Sequence, residues 1–414
     1  MPRLLARFPL PGRQQLGAIA ASLLLAGCNL SGPQSTFDTK GPVARTQLEV
    51  FNVTWYVTLG IFVVVGLALA YATIRFRART KADEHAEPPP QSHGNPLVEF
   101  GLVAASIACL VVIAVPTLRG IAYTYAVPAA EKNDALVINA VGAQWWFRFE
   151  YPSVSAELGN GAQAPLATGN ELVIPVGRPV HINLRTSDVM HSFWIPKLAG
   201  KVDMIPNRGN HLWLRADEPG YYFGQCAEFC GEGHAVMRFR VVALEPPAYE
   251  AWVARQIRAA GTPPPEDALT RAAASARPAT PTGAKLTGYG GTTYGEFDDD
   301  LLAFWHRQQQ PAPGDAERAA RGRRLFTEKT CAGCHTVRGH DFGGVTGPDL
   351  THFASRTTLA AGLVDNTDAN LRRWIMHPEH VKPGNLMSQG YEDNGVTLAP
   401  DEADALVAYL RSLH

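Results

Sequence analysis

The chain has 414 residues, enough for two or three domains. Its 37 basic and 38 acidic side chains nearly cancel, and nothing in a formal net charge of −1 suggests a nucleic-acid surface. Six cysteines are too few to staple so long a chain; two are single, Cys28 and Cys109, and four form the close pairs Cys226/Cys230 and Cys331/Cys334, each with a histidine nearby, which points to cofactor sites.

Arg3, Arg7 and Arg13 precede the apolar run Leu16–Leu25, the pattern of a signal peptide and too short to span a bilayer. The run ends in Leu25-Ala26-Gly27-Cys28, which resembles the lipobox of bacterial lipoproteins. Residues 1–27 are then a leader and Cys28 a lipid attachment site; the alternative is a plain cleavage site with an incidental cysteine. The uncharged runs Trp55–Ile74, 20 residues, and Phe100–Leu118, 19 residues, predict a two-helix transmembrane hairpin within 28–125, with helices over about 52–76 and 97–122. Arg75, Arg77, Arg79 and Lys81 between them predict a cytoplasmic loop. A lipidated Cys28 outside agrees, so everything beyond about residue 125 is expected on the outer face of a bacterial inner membrane. Cys109 reads as a small hydrophobe inside the second span.

Residues 130–247 carry short strand-like runs such as Leu136-Val137-Ile138, Glu171–Val176 and Val180–Leu184, separated by Gly- and Pro-containing turns. His211–Arg215 and Met237–Val242 alternate. The sum predicts an all-β sandwich or barrel. Its chemistry lies in Cys226-Ala227-Glu228-Phe229-Cys230-Gly231-Glu232-Gly233-His234-Ala235-Val236-Met237. Cys230, His234 and Met237 suit a blue-copper loop, with His191 as the second imidazole. Cys226 adds a second thiolate, which can bridge a second copper. A Cys226–Cys230 disulfide and a structural zinc are the alternatives, and neither needs Met237 or His191 at these places.

These residues resemble subunit II of cytochrome c oxidase and its CuA centre. The resemblance spans about residues 45–255 and includes Gln144–Tyr151, Ser187–Phe193, Gly200–Asp203 and the Cys226–Met237 loop. It implies a cupredoxin domain holding two copper ions, with His191, Cys226, Cys230, His234 and Met237 as side-chain ligands and Glu228 as a ligand through its carbonyl. It implies that the Glu228 carboxylate reaches a magnesium shared with subunit I, and that electrons enter at Trp145; simple core packing is the other reading of Trp145 and Trp146. Phe147 stands where the family usually has Trp, and the stretch after Glu99 lacks the family's common Trp. Glu99 aligns with a carboxylate near a proton path into subunit I; an interfacial carboxylate is the plainer reading.

A short helix near Tyr249–Ala259 and a stretch rich in Pro, Ala, Gly and Thr fill 248–315, read as a linker with little core of its own. The acidic cluster Glu296, Asp298, Asp299 and Asp300 reads as a solvated face. From Ala316 an Arg-rich helical pattern leads to Cys331-Ala332-Gly333-Cys334-His335, the c-type haem attachment motif. Cys331 and Cys334 would bind the haem covalently and His335 its iron. A zinc knuckle would need further ligands. Gly347-Pro348-Asp349-Leu350 follows, resembling the segment whose Pro carbonyl holds the axial His in an all-α class I cytochrome c domain, here 316–414. Met387, in a loop resembling that family's axial-Met segment, is the expected sixth ligand; Met376, His352, His377 and His380 are the others within reach of the sequence argument. Residues 317–414 carry 11 basic and 12 acidic side chains, so no single-signed docking field is expected. Glu402–Leu413 reads as the closing helix.

The parts make a multidomain membrane protein resembling the caa-type cytochrome c oxidases, in which subunit II carries its own cytochrome c. That implies electron transfer from haem c through CuA to subunit I, where oxygen is reduced to water with proton pumping. Partners would be subunits I and III, the membrane, and a donor such as a cytochrome bc complex or a soluble cytochrome c. The electron-entry subunit of a nitric oxide reductase and a copper- and haem-bearing sensor without an enzymatic partner are the competing readings.

Overall fold

The computed structural model describes residues 30, 32–80, 87, 93–158, 161–261, 300–310 and 314–414. Cys28, the leader and most of the Pro-rich stretch lie outside the described residues. Two long apolar helices come first, α1 (Pro42–Arg75) and α2 (Pro96–Tyr125), both long and apolar enough to cross a membrane. Helix α1 starts ten residues before the expected position. Pro42 at its first turn favours initiation there. The added turns lie against the next domain: Val43 and Ala44 are buried, and Arg45 pairs with Asp217. Asn95 caps α2 by accepting from the Leu97 amide. Glu99 sits in that first turn, where the helix dipole favours a negative charge.

Ten strands follow: β1 (Leu136–Ala143), β2 (Trp146–Glu157), β3 (Gln163–Gly169), β4 (Glu171–Pro175), β5 (Val180–Thr186), β6 (His191–Trp194), β7 (Lys201–Met204), β8 (Asn210–Leu214), β9 (Gly220–Cys226) and β10 (Arg238–Leu244). They form two five-stranded sheets, ordered β3-β2-β1-β5-β8 and β4-β10-β9-β6-β7. The pairs β1–β5 and β4–β10 are parallel and the other pairs antiparallel. This is a sandwich of cupredoxin type. In β2 and β5 the pleat turns Phe147, Phe149 and Tyr151, and Val180, Ile182 and Leu184, inward. Phe147, Phe149, Phe193 and Phe239 form the aromatic centre, with the Phe193 and Phe239 rings 4.8 Å apart.

Strands β4 and β10 are buried on both faces rather than one. The second face is covered by α3 (Pro246–Gln256), by α4 (Leu301–Gln308) and by the C-terminal domain. Helix α3 buries Tyr249 and Trp252; α4, capped by Asp300, buries Trp305 among the sandwich core residues. The described parts of the expected linker therefore do carry core. The C-terminal domain comprises α5 (Ala316–Glu328), α6 (Cys331–Cys334), α7 (Asp368–Met376), α8 (Pro378–Val381), α9 (Leu386–Asp393) and α10 (Pro400–Arg411). Helices α5 and α10 cross where Phe326 meets Tyr409 edge to face, centroids 5.4 Å apart. It has its own apolar core, including Leu325, Leu371, Ile375, Leu406 and Leu410.

Candidate metal and haem centres

Strand β9 ends at Cys226, and β10 starts just after Met237; the intervening loop carries Cys230 and His234. Strand β6, paired to β9 through Phe193 and Cys226, begins at His191 and so brings a distant imidazole beside the loop. The Cys226 and Cys230 sulfurs are 3.7 Å apart, far beyond a disulfide bond. Cys230 Sγ lies 3.6 Å from His234 Nδ1 and 3.9 Å from Met237 Sδ. Cys226 Sγ lies 4.0 Å from His191 Nδ1 and 3.2 Å from the Glu228 carbonyl oxygen. Two sulfurs thus stand at the centre, with one imidazole beside each and a thioether and a carbonyl at the sides. All six residues named from the sequence converge here. Among the described residues, His191, Cys226 and Cys230 form the only cluster of three or more His, Cys, Asp or Glu ligand atoms.

The surroundings tune these donors. His191 is fully buried, and its Nε2 lies 2.8 Å from Asp188, which fixes the ring with Nδ1 toward the sulfur. Burial alone would lower the His191 pKa, but the bonds to Asp188 and Cys226 outweigh it and raise it. The hydrogen bond between the two sulfurs holds the Cys226 thiol below the usual range and pushes Cys230 up. Such a pair of soft sulfurs with imidazole and thioether suits copper.

Trp145 lies in the turn between β1 and β2, 9% exposed. Its indole N–H donates to the Cys230 carbonyl over 2.9 Å, and the Gln144 side-chain amide donates to the same oxygen. A β-carbon on Gly233 would stand 2.5 Å from the indole, so the loop lies flat on the ring only because residue 233 has no side chain.

Trp145 also borders the second centre. Trp145 and Trp146 line a cavity of about 430 Å³ together with Cys331, Cys334, His335 and Met387. His335 Nδ1 donates to the Pro348 carbonyl over 2.9 Å, which leaves Nε2 free for an iron. A β-carbon on Gly347 would stand 2.4 Å from the His335 ring. Burial lowers the His335 pKa, and the neutral imidazole is the ligating form. An apolar cavity with two thiols, a positioned imidazole and a thioether fits a covalently held haem. Of the sixth-ligand candidates, Met387 lines the cavity; Met376, His352, His377 and His380 do not. His352 binds the Arg258 carbonyl instead, and His377 and His380 stack on each other.

Sequence reasoning did not find the surface that joins the two centres. Glu171 accepts from the Trp305 indole at 2.7 Å and from the Thr357 hydroxyl at 3.1 Å. Tyr221 bonds Thr357, Arg240 donates to the Gly362 carbonyl, Arg338 donates to the Gln256 carbonyl, and Lys382 donates to the Trp145 carbonyl. Each partner is more than 80 positions away, where no local pattern signals a contact.

The family model for the periplasmic domain of cytochrome c oxidase subunit II matches residues 136–244, and that for cytochrome c matches 319–414. Cytochrome c oxidase subunit 2 of Alkalihalophilus pseudofirmus is 32% identical over 394 residues, covering 95% of this chain and 94% of that one. Cytochrome c oxidase subunit 2 of Bacillus subtilis is 28% identical, covering 94% of each. The periplasmic domain of subunit II of cytochrome oxidase of Bradyrhizobium japonicum, a solved structure, is 30% identical over 29% of this chain and 92% of that chain, with a TM-score of 0.25. With both domains matched and a relative aligned over nearly its whole length, the chain belongs to the cytochrome c oxidase subunit 2 family and carries a cytochrome c domain at its C-terminal end.

Proposed function

We propose that this chain receives electrons on one covalent haem c, passes them through Trp145 to a dinuclear CuA centre, and hands them to subunit I of a respiratory oxidase that reduces oxygen to water with proton pumping. Cys331 and Cys334 would hold the haem covalently, with His335 and Met387 on its iron. His191, Cys226, Cys230, His234, Met237 and the Glu228 carbonyl would hold two coppers. Bound there, the haem and the copper pair supply two one-electron redox couples.

The observation that carries this reading is the placement of Trp145. One ring borders the cavity beside the haem-attachment cysteines, and its N–H lies on the carbonyl of Cys230. The residues around it join the two sites through buried hydrogen bonds. Catalysis at oxygen belongs to subunit I. The Glu228 carboxylate is offered to a magnesium shared with that subunit, and Glu99 to its proton path. Cys28 would carry a lipid on the outer face of the inner membrane, with subunit III and an upstream cytochrome as further partners.

The test is flash photoreduction of the haem in the purified complex. Haem reoxidation should match growth of the copper near-infrared change, and Trp145→Leu should slow both. Reoxidation without copper reduction would reject the route. Oxygen uptake by the complex, rather than nitric oxide consumption, is the expected terminal reaction.

A further inference from the structure

Lys382 sits in the chain leading to Met387, yet it is only 4% exposed. Taking an ammonium out of water is costly unless its protons find acceptors. The acceptor here belongs to the other domain: the Lys382 Nζ donates to the backbone carbonyl of Trp145, 237 positions earlier. Burial pushes the Lys382 ammonium down to about 7.

Both ends of this bond are held. The Trp145 ring is fixed by its own bond to Cys230 and by the Gly233 contact. On the other side, the Asn385 side-chain amide donates to the Lys382 carbonyl at 2.6 Å and to the Ser388 hydroxyl at 2.7 Å, while the Ser388 amide donates back to Asn385 at 2.9 Å. The segment bearing Met387 is thus stitched around Lys382. Two residues on, Gly384 lies against Glu232 of the Cys226–Met237 loop, where a β-carbon would stand 2.6 Å from the carboxylate. Other links between the domains, among them those at Glu171, Tyr221, Arg240 and Arg338, involve neither the Met387 segment nor Trp145.

We propose that Lys382 is a positioning residue for internal electron transfer: its bond to the Trp145 carbonyl fixes the haem-bearing segment against the indole next to the copper loop. This rests on the electron route proposed above. The distant links keep the domains joined without it, so its loss acts on the transfer rate rather than on assembly.

The experiment compares the intact oxidase with its Lys382→Met variant by flash photoreduction of the haem. Loss of this tie should slow haem-to-copper transfer about tenfold or more, the scale on which lost positioning of reacting groups lowers a rate. The haem and copper absorption spectra should not change. An unchanged rate with unchanged spectra overturns the role of Lys382. Absence of transfer in the unmodified oxidase overturns the route itself, and is recognised without the variant. A second measurement needs no substitution. In the native complex, amine acetylation read by mass spectrometry should modify Lys382 at least about tenfold more slowly than exposed Lys201. Equal rates would remove the buried tie.

Discussion

At the level of single residues, the loop between β9 and β10 differs from a one-copper loop by Cys226. Its sulfur faces Cys230 at 3.7 Å and the His191 ring at 4.0 Å. A serine oxygen is too hard a donor to replace a bridging thiolate. Cys226→Ser should therefore leave at most one copper per chain and no mixed-valence dicopper signal in electron paramagnetic resonance; an intact signal would refute the bridge. Asp365 supports a prediction of a different kind. Among the described residues its Oδ1 has no hydrogen-bond partner, and burial pushes its carboxyl up from 3.8 to about 6 despite Arg240 nearby. The folded state then binds the proton more tightly than the unfolded state. This contribution to stability is complete below pH 3.8 and is lost as pH rises through about 6. Asp365→Asn should flatten the fall of the haem-domain melting temperature across that window, and an unchanged slope would reject the assignment. Cys226, Cys230, His234 and Met237 could be proposed together from the sequence because spacing along one short segment is a local property. Arg240 was not legible in this way: alternation in Met237–Val242 turns it outward, and only a second domain on that face explains its burial, with 2% exposed.

Among the elements, α4 shows where sequence reading stops. Eight residues following a Pro- and Gly-rich stretch are too few to form a stable helix alone, and their periodicity is weak evidence of one. What holds α4 is tertiary contact. Asp300 caps it, Trp305 fills a slot in the sandwich core at 1% exposure, and the indole N–H satisfies buried Glu171. Glu171 in turn receives Thr357 of the cytochrome domain, so α4 acts as a strap across both domains. Trp305→Ala should cost about 3–5 kcal/mol, the range for truncating a large buried aromatic, and more of it at the interface than within either core. Proteolysis should then separate the cytochrome domain sooner, while the haem and copper spectra persist. A cleavage rate equal to that of the unmodified protein would show that the strap holds nothing. By contrast, α1 and α2 were legible from uncharged length alone, because the bilayer imposes a minimum that few other structures meet. Only their outer turns, shaped by contact with the sandwich, extended past the expected limits.

Across the whole molecule, the two domains meet through buried groups rather than through opposed surface charge. Lys382, Arg240, Arg338 and Glu171 are each at most 9% exposed, and each is bonded across or along the interface. Such contacts lie out of reach of mobile ions, whereas the docking of a free cytochrome depends on charges that salt screens. The covalent link adds an effective concentration that dilution cannot change. Two consequences follow for the rate of the proposed haem-to-copper transfer. It should be first order and independent of oxidase concentration. It should also stay nearly constant from about 10 mM to roughly 0.3 M salt, a range over which the Debye length falls from about 30 Å to well under 10 Å. On the proposed route, electron delivery from an upstream donor to the haem would be a bimolecular encounter, with a salt dependence set by the charges of both partners. Both steps can be followed in one flash experiment, at the haem and at the copper. A haem-to-copper rate that falls steeply with salt would mean that the domains separate and redock during turnover, and that the buried interface describes only one of their arrangements.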